Sequence, residues 1–328
     1  MSHTLVSVII PTRNRPELVL RAVRSALNQT YQHLEVIVVV DGPDLATNEA
    51  LSTVVDGRLR IVALDHSIGG SDARNKGVQH ATGHWIAFLD DDDEWLAPKI
   101  AKQMETALDS TSPFPVVSCY FIGRTPLGDF IWPRRTPNAG EPLCEYLFCR
   151  RSLFRGEGQL QTSLILTSRE LMRQVPFTSS LRRHQDTDWY LRIAAVAGVE
   201  IKFIPEPLAI WYLEENRFKV TGRSDWRYSL GWLRGVRGIM TAKAYSGFIA
   251  TQLAPEASRQ GDWVAFFPLL WEAVAKGRPA PIDLILYLGM WFVPPSLRRN
   301  LRLALRTRLP RLMSHGKNTL RHPARVEK

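Results

Sequence analysis

Cysteine is scarce: Cys119, Cys144 and Cys149 are the only three in 328 residues. The number is odd and no two form a CxxC pair. That argues against a disulfide framework or a thiolate zinc site, and it suits a reducing compartment. The eight histidines show no ligand spacing. No apolar run reaches the roughly 20 residues that cross a bilayer. The strongest, PIDLILYLGMWFVPP (281–295), is short and interrupted. The opening MSHTLVSVIIPTRNRP has neither the basic start nor the long apolar run of a signal peptide. The expected location is therefore cytoplasmic, with peripheral contact at the inner face of the cytoplasmic membrane as an option. There is no internal repeat and no low-complexity segment.

Charge is unevenly placed. The chain carries +10, and Arg298–Lys328 holds ten Lys/Arg against one acid, Glu327. The body is thus nearly neutral. Nucleic-acid binding, which needs a basic face on the folded body, is not expected. The apolar stretch followed by Arg298, Arg299, Arg302 and Arg306 has the makings of a helix lying on an anionic membrane, through 282–311. Trp271, Trp291 and Phe292 read as core residues.

What is present in the first 95 residues is alternation. Strands are expected at 5–10, 35–41, 59–64 and 85–90, and helices at 16–30, 44–55 and 71–82. EVIVVVD (35–41) holds a continuous apolar run, 36–40, as a strand buried on both faces requires. The pattern predicts an α/β fold with a mostly parallel central sheet and helices on both faces. Further on, helices are expected at 97–108 and 185–198, strands at 115–123, 161–168 and 200–213, and loops with short elements at 124–160. From 214 the chain reads as helical, in segments near 224–253, 255–277 and 281–309. The expected division is a catalytic domain, 1–213, and a helical C-terminal extension with a basic tail, 214–328.

In such a sheet ligands bind beyond the carboxyl ends of the strands. Thr12-Arg13-Asn14, Asp41-Gly42 and Asp90–Asp93 fall there and should gather along one edge. FLDDDDEW (88–95) is the sharpest feature. Like charges about 4 Å apart repel by roughly 4 kcal/mol at an effective dielectric near 20, so the four aspartates call for a cation. Hard ions such as Mg²⁺ or Mn²⁺ take oxygen ligands and are completed by water and phosphates. The plainer alternative is an acidic turn that caps the helix at 97–108 through its dipole.

Three segments then carry a resemblance: VSVIIPTRNRPELVLRAVRSALNQTYQHLEVIVVVDG, GGSDARNKGVQHATGHWIAFLDDDDEWLAPKI and HQDTDWYLRIA. In their order and spacing they resemble a family 2 glycosyltransferase of the GT-A fold, of the kind that builds bacterial cell-envelope and surface polysaccharides. The resemblance covers about residues 4–213. It implies that Asp90 and Asp92 form the DxD pair around Asp91. Asp92 would be the main metal ligand, with Asp90 nearer the ribose and Asp93 at a metal water or the sugar. It implies that Pro11, Thr12 and Arg13 pack on the base and that Asp41 accepts from a ring nitrogen, which favours a UDP-sugar. Arg74 would lie by the diphosphate. Asp186 would be the general base, with Gln185 where the family has Glu. His184, Trp189 and Arg192 are candidates for the acceptor side, while Asp188 reads as a helix-terminal charge. The implied activity is inverting, metal-dependent transfer, with Mn²⁺ or Mg²⁺, to a glycan or lipid-linked acceptor. The competing readings are a nucleotidyltransferase, which would need an early glycine-rich loop, and a catalytically silent nucleotide-sugar-binding or scaffold protein.

Overall fold

The apolar segments become strands that register side by side. A computed structural model describes residues 4–126, 128–153, 156–213, 225–294 and 296–298. β1 (Val6–Thr12), β2 (Leu34–Val40), β3 (Leu59–Ala63) and β4 (Trp85–Phe88) run parallel in the order β3-β2-β1-β4. Between them lie α1 (Pro16–Leu27), α2 (Leu45–Ser52) and α3 (Gly70–His80). Val36 to Val40 have no exposed surface, as the unbroken apolar run of β2 implies. α1 starts with Pro16 in its first turn and buries Val19, Ala22, Val23, Ala26 and Leu27 on one side of the sheet. α3 covers the other side with Ala73 and Val78. Gly77 sits so close to β1 that a Cβ there would come within 2.4 Å of Ile9 Cγ2.

Beyond β4 the sheet becomes mixed. β5 (Asp93–Trp95), α4 (Lys99–Leu108), β6 (Phe114–Arg124), β7 (Phe130–Trp132), α5 (Leu143–Phe148), β8 (Leu166–Ser168), α6 (Arg169–Gln174), α7 (Gln185–Ile193) and β9 (Val199–Tyr212) follow in the chain. β8 lies antiparallel between β4 and β6, β9 is parallel to β6, and β5 pairs antiparallel with β9 at the edge. One expectation is corrected here, and the capping alternative falls. Of 161–168 only the last three residues are strand, because Thr162–Leu164 bend into a tight turn whose Ser163 serves the site. The aspartates do not cap α4, whose N-terminus is at Pro98 with no side-chain cap; they run instead into β5.

Lys99 opens α4 fully buried, its amine donating to Gln103 Oε1 (2.6 Å) and lying 3.9 Å from the centroid of the Trp95 ring. Burial pushes this amine down to about 8. Between that pH and the ordinary 10.5 the unfolded chain holds a proton that the folded chain lacks, so stability rises with pH there. Wild type should gain stability relative to Lys99→Met as pH increases from 8 towards 10.5, in urea titrations of both proteins. Parallel pH dependences would rule the buried amine out as the cause.

The C-terminal helices form a third apolar cluster: α8 (Trp226–Gly235), α9 (Ala242–Phe248), α10 (Ala254–Arg259), α11 (Phe266–Lys276) and α12 (Pro281–Phe292). A π-type turn, Ile249–Leu253, joins α9 to α10. The cluster includes Cys144 and Phe148 of α5 and Leu191 of α7, so the helices are seated on the sheet-bearing part. The division expected at 213/214, the 299–309 end of the last helix and most of the basic tail lie outside the described residues. Trp291 is buried as expected, but Trp271 and Phe292 are 71% and 63% exposed. Among the described residues no helix is long and apolar enough to cross a membrane.

Candidate active site

The parallel order β3-β2-β1-β4 makes a switch point between β1 and β4, where a crevice opens beyond the strand ends. Thr12 is level with Val40 and Ile9 with Phe88, so the segments that follow β1, β2 and β4 emerge together. A cleft of about 540 Å³ lies there. Pro11, Thr12, Arg13, Asp41, Arg74, Asp90, Asp91, Asp92, His184 and Asp186 all line it. Asp93, Trp189 and Arg192 do not.

The four aspartates take different sets of partners, which offset their mutual repulsion. Asp90 pairs with Arg74 (2.5 Å). Asp91 accepts from Thr12 Oγ1 (2.8 Å) and Arg15 (2.9 Å), and the same Arg15 nitrogen reaches Asp92 Oδ2 (3.2 Å). Asp93 turns inward, 4% exposed, and accepts a hydrogen bond from the Ser163 hydroxyl (2.5 Å). Ser163 Oγ in turn accepts from the Asp90 amide (3.0 Å), which fixes the turn. Burial, with Asp92 adding, pushes the Asp91 carboxyl up to about 6 against the pull of Arg15. The cations that offset this cluster in the protein itself are therefore Arg15 and Arg74. Arg15 escaped the sequence reading, although it stands two places after Arg13 in TRNRP.

At the carboxyl end of β2 Asp41 holds the loop into α3. Its Oδ1 accepts from the Ile68 amide (2.7 Å), and its Oδ2 from the Gly69 amide (3.1 Å) and Ser67 Oγ (2.8 Å). Arg13 donates to the same Ser67 (2.7 Å). Asn14 takes a positive φ of 53°, and its amide donates to Asp44 (2.5 Å), which also caps α2.

α7 brings the other wall. Arg74 donates at once to Asp90 and to Gln185 Oε1 (2.8 Å), so one guanidinium spans from the aspartate turn to the start of α7. The Gln185 amide nitrogen donates to Leu181 O (2.6 Å). A glutamate has no proton to give that carbonyl, which accounts for glutamine here. Asp186, half-buried beside it, accepts from the Thr187 amide (2.7 Å). Burial raises its carboxyl pKa, and the nearby Asp90 adds to the rise. His184 has φ 63°, stacks on Trp232 at 4.5 Å and shares a hydrogen bond with Ser229 (2.8 Å). Burial and Arg183 push its imidazole down to about 4, so it is neutral at pH 7.

Three candidates belong elsewhere. Asp93 is committed to Ser163. Trp189 is fully buried and donates to Val175 O (2.8 Å). Arg192 pairs with Asp188 (2.8 Å) and the Pro176 carbonyl. Asp188 itself is buried and also accepts from Thr178 and Trp232, which ties α7 to α8.

The mixed, mostly parallel sheet with its covering helices is the GT-A fold of glycosyltransferases. Two solved structures share the fold. S. aureus TarS 1–349 in complex with UDP-GlcNAc aligns at 15% identity over 87% of this chain and 90% of that one, with a TM-score of 0.55. Mannosyltransferase PcManGT from Pyrobaculum calidifontis in complex with GDP-Man and Mn²⁺ aligns at 18% identity over 91% and 83%, with a TM-score of 0.54. The model of glycosyl transferase family 2 matches residues 7–175, more than half of the chain. The protein belongs to that family and is a glycosyltransferase. Among its relatives, the amylovoran biosynthesis glycosyltransferase AmsB of Erwinia amylovora is 28% identical over 262 residues, which cover 75% of this chain and 84% of that one.

Proposed function

We propose that the protein transfers a single sugar, with inversion, from a nucleoside-diphosphate sugar to a glycan or lipid-linked acceptor in surface-polysaccharide assembly. The observation that carries this reading is the span of Arg74. Its guanidinium joins Asp90 to Gln185, so the base candidate Asp186 and the aspartate turn face one reaction space. A base on one wall and a leaving-group site on the other suit direct displacement, with no covalent intermediate.

Asp186 takes the proton of the acceptor hydroxyl as it attacks the anomeric carbon. Its raised pKa makes it a better proton acceptor than an ordinary aspartate. Arg74 lies where charge develops on the departing diphosphate. Asp41 has filled three of its roughly four acceptor positions, which leaves Oδ1 able to accept from a ring N–H of uracil. Arg13 and Pro11 flank that position on the cleft. The acceptor enters past His184, whose neutral ring adds no charge there.

A divalent ion fits this site on the chemistry of its donors. Asp92 and Asp90 offer hard carboxylate oxygens on the cleft, 18% and 31% exposed. Among the described residues no group of three or more His, Cys, Asp or Glu could cage a metal by itself. One or two carboxylates are the usual protein share when substrate phosphates complete the shell. Asp92 and Asp90 would hold Mn²⁺ or Mg²⁺, which supplies charge neutralisation on the diphosphate.

A UDP-sugar is the donor of first choice, supported by Asp41 and by the UDP-GlcNAc held by the TarS relative in fold. Calorimetric titration of UDP, dTDP and GDP, each with Mn²⁺ and with EDTA, tests the reading. UDP should bind with Mn²⁺ and weaken at least about tenfold in EDTA. Tighter GDP binding would keep the reaction class and change the donor. A folded protein that binds none of the three is the silent scaffold instead.

A further inference from the structure

α11 and α12 are apolar on both sides: Leu269, Ala273, Tyr287 and Trp291 pack inward in the helical cluster, and the outward positions are apolar as well. A surface helix ordinarily turns its polar side outward. Over 263–275 the exposed positions are Trp263 (54%), Val264 (79%), Phe267 (76%), Pro268, Trp271 (71%), Val274 (52%) and Ala275, without one charged side chain among them. The acid of α11, Glu272, faces inward, where Arg234, Tyr245 and Lys276 hold it. α12 repeats the arrangement. Ile285, Leu288 and Phe292 are exposed, and Asp283 is 2% exposed and caps its own helix through the Ala280 amide. The two faces join, since Trp263 and Phe292 are 5.8 Å apart, centroid to centroid.

We propose that this joined face of α11 and α12 is a docking surface for an anionic lipid bilayer, in which the helices lie flat with their aromatic side chains inserted. Large outward aromatic and aliphatic side chains on paired helices are the side-chain set that buries in the headgroup–acyl boundary. Charge selects the bilayer over a second copy of the chain. Both acids between residues 263 and 292 point away from the face, Arg278 is exposed between the two helices, and the sequence from Arg298 on carries +9. Such a rim attracts anionic headgroups. A symmetric dimer through the same face would set the exposed Arg278 of two copies, in chains that each carry +10, against one another. The inference does not depend on the proposed reaction, and its test reads no turnover.

The test is flotation of the full chain with vesicles of phosphatidylcholine alone and of phosphatidylcholine with phosphatidylglycerol. The wild type should float with the anionic vesicles. Phe267→Glu/Trp271→Glu should lower the partition coefficient at least about tenfold. Val55→Glu, at a 99% exposed position outside this face, should float as wild type does. Quenching of wild-type tryptophan emission by brominated phosphatidylglycerol gives a readout that needs no variant. Absence of quenching, or equal flotation of the double variant, overturns the proposal. So does a wild-type dimer in light scattering that the double variant dissociates, because the face would then belong to a second copy.

Discussion

Asp186→Asn is expected to lower kcat by about 10²- to 10⁴-fold, the usual contribution of a general base, while nucleotide binding stays as in the wild type. Asparagine keeps the size and can still accept from the Thr187 amide, so α7 keeps its start. What it loses is the ability to take a proton. The proposed nucleotide end of the cleft, at Asp41 and Arg13, is formed by other elements. The wild-type pH profile should agree. Because burial and Asp90 raise the Asp186 pKa above the ordinary 3.8, the acid limb of kcat/KM should lie above that value, with activity lost as pH falls through it. Asp188 provides the contrast two residues on. It is buried and bonded to Thr178, Arg192 and Trp232, so its loss belongs to stability. Undiminished turnover in Asp186→Asn would remove Asp186 from the base role.

Two neighbours in one sequence run should fail in opposite ways. Asp92→Asn should cut kcat/KM by about 10²-fold or more and make nucleotide binding insensitive to Mn²⁺, with little change in unfolding. Asp93→Asn should destabilise the fold by about 1–3 kcal/mol, the cost of disturbing a buried charge-assisted bond, with a far smaller kinetic effect. The reason is direction. Asp92 opens onto the cleft beside Arg15, whereas Asp93 is turned into the protein against Ser163. Steady-state kinetics and urea unfolding on both variants decide it. A kinetic loss in Asp93→Asn as large as that in Asp92→Asn, at unchanged stability, would place both carboxylates in the site.

Much of the first half was legible because its signals are local. β2 reads as a doubly buried strand from five consecutive apolar residues, and Pro16 with the Val19–Leu27 stripe gives α1. The position of Asp41 and of the aspartate run at strand ends follows from that alternation. β5 was not legible. Three residues, Asp93–Trp95, have no periodicity of their own, and their partners Ala209–Trp211 lie more than a hundred residues away. Trp271 and Phe292 misled for a related reason. Aromatic residues in an apolar helix favour burial, and only the packing of α11 and α12 shows which side is left outside.

The sequence by itself determined the family, the parallel half of the sheet and which loops border the cleft, because strand ends and motif spacing are properties of the chain. The tertiary structure decided which carboxylates face that cleft. Asp90, Asp91, Asp92 and Asp93 are alike in residue type, and the resemblance suggests roles for them without their directions. They separate only when Arg74 arrives from α3, Arg15 from the β1 loop and Ser163 from the turn before β8. The same holds for Trp189 and Arg192, three and six residues after the proposed base yet directed by Val175, Pro176 and Asp188 away from it. A charge's role depends on what neutralises it, and those partners come from distant segments that only folding brings together.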